Sequence, residues 1–311
     1  MRTTSHRLAT TLRRLLVVTL AALLAALVAP AAARADPGDY PGKSAYPTYN
    51  SRFWSGPAIG HLSNYIPQGL AYWSAKDALI TTYYDEDDTG AKALISVRNR
   101  LGNQTERKWV TMVGGHAGGA VVHGKYLWVS STSVNGLSWV YRYSLSRLAA
   151  AKPHQYLTWD KAFRVETSSY VTVRAGDLWV GRHTTDINTS GTMYRYNITA
   201  TGNLSAKPIA SMTTPSQVQG ASFSNGRVIY SRSYGRTKAS TITVVNLSSG
   251  RTSSFAAPSM IQGSALAAGW YYLTTESGAS HYRYGEDGRG RSLNPITNTH
   301  YASVSGLTGL V

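Results

Sequence analysis

The chain has no cysteine in 311 residues, so a disulfide scaffold, a thiolate zinc site and a cysteine nucleophile are all excluded. Several signatures of common chemistries are missing as well. There is no G-x-S-x-G elbow, no H-E-x-x-H pair, no phosphate-binding loop and no G-x-G-x-x-G between a strand and a helix. The segment GGHAGG at 114–119 is Gly-rich but opens a strand pattern, so no helix N-terminus stands there to receive a phosphate, and nucleotide chemistry is not expected. Beyond residue 35 no long stretch sustains the 3.6-residue apolar period of a helix. Acidic residues are scarce: 15 Asp and Glu stand against 31 Lys and Arg, a formal charge of +16. Disorder is excluded by what is present, since 42% of the chain is hydrophobic and 21 Tyr and 8 Trp can fill a substantial core.

Residues 15–29 (LLVVTLAALLAALVA) follow Arg2, Arg7, Arg13 and Arg14 and precede Ala33-Arg34-Ala35, the layout of a secretory signal with an A-x-A cleavage site. A transmembrane anchor is the competing reading, but the run is short of the roughly 20 residues a span needs. Cleavage after Ala35 removes five Arg and no acid, leaving 26 − 15 = +11 on residues 36–311. The expectation is a secreted, extracellular monomer with no membrane span after cleavage. Its basic residues are dispersed, which fits solubility as well as attraction to an anionic surface polymer, and specific nucleic-acid binding is not expected. Residues 36–52, rich in Pro and Gly, read as an extended leader, and residues 53–311 as one domain.

From residue 66 the chain repeats. IPQGLAYW (66–73), GGHAGGAVV (114–122), TSSYVTVR (167–174), QVQGASFS (217–224) and MIQGSALA (260–267) each read as a polar turn followed by a small-residue strand. Gly69, Gly119, Val171, Gly220 and Gly263 occupy corresponding places, at spacings of 50, 52, 49 and 43. An apolar second strand follows each, as in ALITTYY (78–84), YLWVSS (126–131) and WYYLTTE (270–276). Third strands are read at 93–99, 138–145, 192–198, 240–247 and SHYRYG (280–285). Weaker fourth strands are read at 106–112, QYLTW (155–159), 207–212, 251–257 and THYASV (299–304), and SLSRLAAAK (144–152) as a loop helix. A repeat of roughly 40–50 residues built from four strands is the signature of a propeller blade. Small residues suit strands crowded at the axis, and aromatic runs suit strands sandwiched between blades. The fold class is therefore all-β, a five-bladed β-propeller, with six blades as the alternative if residues 40–65 supply part of a degenerate one. A strand or clasp near residues 50–62 is expected to close the ring.

Through IPQGLAYW, GGHAGGAVVHGKYLWVS and the repeated Tyr-Arg-Tyr of the third strands, residues 66–304 resemble the secreted β-propeller proteins of actinobacteria. More loosely the chain is similar to lactonase-type and streptogramin-lyase-type propellers, which implies a ligand or metal held over the central channel. No motif matches those enzymes residue by residue, so the resemblance implies no catalytic assignment.

Antiparallel geometry supplies the candidate site. The loop entering strand one and the end of strand two lie at the same end of every blade, so these residues surround one mouth of the channel. They are Gln68, His116, Ser168 with Ser169, Gln219 and Gln262 from the entering loops. The strand-two ends add Tyr84 with Asp85, Ser131 with Thr132, Arg182 with His183, Arg232 and Glu276. Two functions fit this set. One is a binding mouth for a polysaccharide, wall-derived or other extracellular ligand, with Gln68, Tyr84, Arg182, Gln219, Arg232 and Gln262 as ligand-binding residues and an extracellular glycan or anionic surface polymer as partner. The other is an extracellular hydrolase or lyase acting on a sugar-like or lactone-like substrate, with Asp85, His116, His183 and Glu276 as catalytic residues and Arg182 or Arg232 neutralising substrate charge. A variant of the second adds one divalent metal ion on Asp85, His116, His183 and Glu276. A His between glycines can equally serve the backbone, the acidic run 85–88 can be a solvated turn, and the Gln set can bridge blades by hydrogen bonds to backbone. The three Tyr-Arg-Tyr triplets are expected to pack blades together, with Arg142, Arg195 and Arg283 crossing to neighbours.

Overall fold

In the computed structural model the described residues are 35–311 apart from 86–91, 102–105, 114 and 133–135; the acidic residues Glu86, Asp87 and Asp88 fall outside them. Four of the five repeats form a four-stranded antiparallel sheet of their own, and the fifth supplies three strands of a four-stranded sheet. After β1 (Phe53–Ala58), the first blade runs β2 (Tyr65–Trp73), β3 (Ala78–Asp85), β4 (Lys92–Asn99) and β5 (Glu106–Val113). The second is β6 (Gly119–His123), β7 (Tyr126–Thr132), β8 (Ser138–Ser144) and β9 (Lys161–Arg164), with the expected loop helix α2 (Leu145–Ala150) after β8. It follows the short helix α1 (Pro47–Asn50) in chain order. The third blade is β10 (Tyr170–Arg174), β11 (Asp177–Gly181), β12 (Gly191–Tyr196) and β13 (Ala210–Thr214). The fourth is β14 (Val218–Ser224), β15 (Arg227–Arg232), β16 (Ser240–Asn246) and β17 (Thr252–Ala257). The fifth has β18 (Ile261–Ala267), β19 (Trp270–Thr275) and β20 (Asn298–Ser303), and β1 completes it by pairing with β20. This is a five-bladed β-propeller, closed by a strand from the start of the domain. Among the described residues no helix is long and apolar enough to cross a membrane.

Local chemistry sets the hairpins. The links from strand one to strand two in blades three, four and five are Ala175-Gly176, Asn225-Gly226 and Ala268-Gly269, with both residues at positive φ, the conformation whose twist matches flanking strands. Apolar cores lie between neighbouring blades. Ile80 and Ile95 of blade one meet Leu127 and Val129 of blade two. Trp128 meets Leu178 and Val180, Trp179 and Met193 meet Val228 and Tyr230, and Ile229 and Ile242 meet Tyr271 and Leu273. Between blades five and one Leu70 and Leu79 lie against Ala265, Ala267 and Tyr272, and a separate cluster joins Ile66 and Tyr84 to Ala279. Burying each large side chain contributes roughly 1.5–3 kcal/mol, so the ring is held mainly by second-strand and third-strand side chains.

Several expectations change. SHYRYG is not a third strand: His281–Gly285 forms a π-helical turn, Glu286 N–H donating to His281 O at 3.2 Å, while the third-strand place beside β19 belongs to β20. THYASV is accordingly third and not fourth in its blade. The leader is not extended, because Tyr46 and Tyr49 bury and fold it as a short 3-10 turn (Lys43–Ala45) and α1 against blades four and five. Tyr49 Oη lies 2.8 Å from His300 Nδ1, and its ring stacks on Phe53 at 4.1 Å. In blade two the fourth strand is Lys161–Arg164, a few residues beyond QYLTW. Of the triplet arginines, Arg142 does cross to the next blade, donating to Gly202 O, whereas Arg195 pairs with Asp177 of its own blade. Arg283 lies on the π-helical turn, its guanidinium over the Tyr284 ring.

Candidate functional site

The Gln-Gly pairs are β-bulges. In β2, Pro67 pairs with Tyr83 and Leu70 with Thr81, so Gln68 and Gly69 together oppose Thr82. In β18, Ile261 pairs with Thr275 and Ser264 with Leu273, so Gln262 and Gly263 oppose Thr274. In β14, Gln219 and Gly220 oppose Ser231 in the same way. A bulge re-aims the side chain of its extra residue, and here the glycine makes room. A Cβ on Gly69 would lie 2.5 Å from Thr82 Oγ1 and 2.6 Å from Ala120 N, in the next blade. The opposing hydroxyls hold blades together: Thr82 Oγ1 donates to Ala117 O at 2.9 Å, and Ser231 Oγ to Gln262 O at 2.6 Å.

Two of these glutamines converge on one carboxyl group. Glu276, just after β19, is 8% exposed, and Gln68 Nε2 of blade one donates to its Oε1. Gln262 hydrogen-bonds the same carboxyl group from its own blade. Burial raises the Glu276 pKa from 4.5 to about 7, against the lowering by Gln68, Gln262 and the more distant Arg236 charge. Gln262 is 2% exposed and its Oε1 has no hydrogen-bond partner. Above this floor opens a cavity of about 460 Å3 whose lining includes Tyr84, His116, His183, Gln219, Gln262 and Glu276. The opposite end of the channel holds a smaller cavity, about 180 Å3, walled mostly by apolar strand-one residues such as Ala71, Ala120 and Val171.

Both histidines face the larger cavity. The His116 ring stacks on Tyr84 at 4.5 Å, in a loop turned by Ala117 at φ 47° and tied down by Ala117 N–H to Ser131 Oγ. His183 Nδ1 lies 3.2 Å from Val218 O, so the neutral ring carries its proton on Nδ1 and presents Nε2 as an acceptor. Burial lowers the His183 pKa, partly offset by the Val218 bond, and the His116 charge lowers it further.

Six of the ten expected site residues therefore belong to this assembly directly: Tyr84, His116, His183, Gln219, Gln262 and Glu276, while Gln68 supports Glu276 from behind. Gln219 bonds within its own blade, Nε2 donating to Ser233 O at 3.5 Å. Three residues are placed elsewhere. Asp85 is one position past Tyr84 on β3 and so points away from it, beside Tyr65. Arg232 is turned into its own blade, where it donates to Ser216 O at 2.8 Å and to Thr243 Oγ1 at 3.3 Å. Arg182 is exposed outside the cavity lining. The proposed metal set is not assembled, because Asp85 is turned away, and among the described residues no three His, Asp or Glu side chains gather at coordinating spacing.

Sequence reasoning missed Tyr234 and Arg236, from the loop joining strands two and three of blade four, and Tyr282 and Arg289, from the segment between β19 and β20. That segment folds over the mouth. Tyr282 Oη and Tyr84 Oη share a 2.8 Å hydrogen bond, and the Arg236 guanidinium lies 4.8 Å over the Tyr282 ring while pairing with Asp287 at 2.7 and 2.8 Å. Loop position could have pointed to Tyr234 and Arg236. Tyr282 gave no such signal once SHYRYG (280–285) read as a strand, and Arg289 then fell in the loop after it.

No protein family matches the sequence, and no curated protein does. Among solved structures, the chain is similar to a GH43_1 enzyme from Xanthomonas citri, at 12% identity over 80% of this chain and 89% of that one, with a TM-score of 0.48. It is also similar to a gluconolactonase from Xanthomonas campestris, at 15% identity over 87% and 89%, TM-score 0.40. A third is hydrazine synthase from Kuenenia stuttgartiensis, at 11% identity and TM-score 0.40; this chain is covered over 69% and spans 57% of that one. No residue role is carried over from any of them.

Proposed function

We propose that the protein is a secreted binding propeller whose mouth takes a small hydroxyl-rich ligand, such as a sugar unit of an extracellular glycan. One observation carries this reading. Gln262 lines the cavity with a buried, unpartnered Oε1, held beside a carboxyl group that two bulge glutamines fix in place. An unpaired buried acceptor costs about 1–3 kcal/mol, and a ligand hydroxyl that bonds to it recovers that cost on binding. Tyr84, Tyr234 and Tyr282 offer apolar ring area with polar tips, which suits the mixed faces of a sugar. The volume lies within the roughly 300–1,000 Å3 of small-molecule sites. Calorimetric titration of the purified protein with mono- and disaccharides tests the reading, with Gln262→Ala expected to weaken binding about tenfold. Absence of binding to every sugar in such a panel would refute it.

A second reading, acid/base catalysis on a sugar-like or lactone-like substrate, is favoured by Glu276. A carboxyl group with a pKa of about 7 can both give and take a proton near neutrality, and His183 Nε2 offers a second basic atom in the same cavity. Turnover of a lactone or glycoside that is lost in Glu276→Gln, with ligand binding retained, would establish it over simple binding.

A further inference from the structure

We infer that the ligand of the mouth is anionic, a sugar bearing a carboxylate of the uronic-acid type, with Arg289 as its anchor. The inference rests on the reading of the mouth as a sugar site and adds the charge of the sugar. Charged side chains in the cavity lining are Arg236, Arg289 and Glu276. Arg236 is already neutralised: Asp287 accepts two hydrogen bonds from its guanidinium, and the same carboxylate lies 3.2 Å from His281 Nε2. Arg289 is not satisfied in that way. Its Nε stands 4.0 Å from Asp287 Oδ2, beyond hydrogen-bond reach, and its side chain is 83% exposed.

The backbone that carries Arg289 is nevertheless held in place. Arg289 N–H donates to Asp287 Oδ1 at 3.1 Å, and Arg236 Nη1 donates to Gly290 O at 2.7 Å, so the tip of the loop is pinned on both sides of the residue. The result is a guanidinium at the rim of the cavity with its planar donor fork open, over a floor whose one carboxyl group is held toward its neutral form by burial. A carboxylate matches that fork with two parallel hydrogen bonds, and charge-assisted bonds of this kind are about twice as strong as neutral ones. A neutral sugar leaves the fork in water.

Titration calorimetry at low ionic strength with galacturonate and its dimer, against galactose and galactobiose, tests the inference. The uronates should bind about tenfold more tightly than their neutral counterparts, and Arg289→Ala should bring that ratio to about one. Arg291→Ala, an exposed arginine of the same segment outside the cavity lining, should keep the ratio. Because Arg289 is exposed, an unchanged melting midpoint verifies that the variant is folded. Neutral sugars binding as tightly as uronates, or a ratio that survives Arg289→Ala, overturns the inference and leaves the sugar site standing. Failure of all four to bind overturns both.

Discussion

Replacing Glu276 by glutamine should make the protein more stable at pH 8 and leave it nearly unchanged at pH 4. The carboxyl group has a pKa of about 7 when folded, against an ordinary 4.5, because burial penalises its charge more than Gln68 and Gln262 compensate. A raised acid pKa means that the folded state holds its proton longer than the unfolded state does. As pH rises from 4.5 to 7, the unfolded chain releases this proton first, so stability falls through that window and is flat above it. The shift of roughly 2.5 units corresponds to about 3 kcal/mol, an order-of-magnitude value. Glutamine has nearly the same shape, still accepts the Gln68 amide on Oε1 and has no charge to bury. Urea midpoints of wild type and Glu276→Gln at pH 4 and pH 8 separate this effect from the other titrating groups, which are common to both proteins. The variant should gain about 3 kcal/mol relative to wild type between the two conditions. A difference that is the same at both values, or that shrinks as pH rises, would refute the assignment of a strained, buried carboxyl group.

Gly263→Ala should cost about 3 kcal/mol or more, since its Cβ would lie 2.5 Å from Gln68 O and 2.6 Å from Leu70 N, backbone atoms of the neighbouring blade. Gly306→Ala, on helix α3 (Val304–Thr308) with nothing closer than 3.5 Å, should be neutral or mildly stabilising; equal losses at the two sites in urea titrations would contradict the crowding argument. His300 should show the opposite pH behaviour to Glu276. Burial lowers its pKa from 6.5 to about 3, with a smaller contribution from the Lys43 charge, so its share of stability is full above pH 6.5 and is lost as pH falls toward 3. An NMR titration should find its imidazole neutral down to about pH 4, and a midpoint near 6.5 would show that the ring is not buried as described.

The blade pattern was legible because its physical causes are local. Gly69, Gly119, Gly220 and Gly263 recur where strands crowd the axis, and the second strands recur as runs apolar on both faces, as in the wholly buried stretch Ala78–Tyr84. The mouth was legible to the extent that antiparallel topology fixes which ends meet, which brought His116, His183 and Glu276 together across three blades. Side-chain direction at strand ends was not. Asp85 and Tyr84 are adjacent, and only one of the two can face the cavity. Arg232 reads as a free cation, yet Ser216 and Thr243 lie within reach of it inside the blade. The HYRYG segment alternates like a strand over five residues, and what denies it that state is competition: β20 buries Thr299, His300 and Ala302 beside β19, a gain the more polar and exposed 280–285 could not match. Such competition is decided by distant chain, not by the segment itself.

The last strand to be supplied to blade five is the first one in the domain. Phe53 pairs with Ala302, 249 positions away (302 − 53), so closing the ring carries a loop entropy of about 5 kcal/mol beyond its constant part. Such long-range pairing also makes closure a slow event in folding. The apolar core of the seam between blades five and one is split into two clusters, and the seam is bridged by Glu276 with Gln68 and by Tyr282 with Tyr84, the same groups that line or support the mouth. Whatever occupies the mouth therefore touches both ends of the circle. On the proposed reading of the mouth as a binding site, a bound ligand should act as a latch on ring opening and slow unfolding as its occupancy rises, and protection from proteases becomes a readout of binding that needs no knowledge of the ligand's identity.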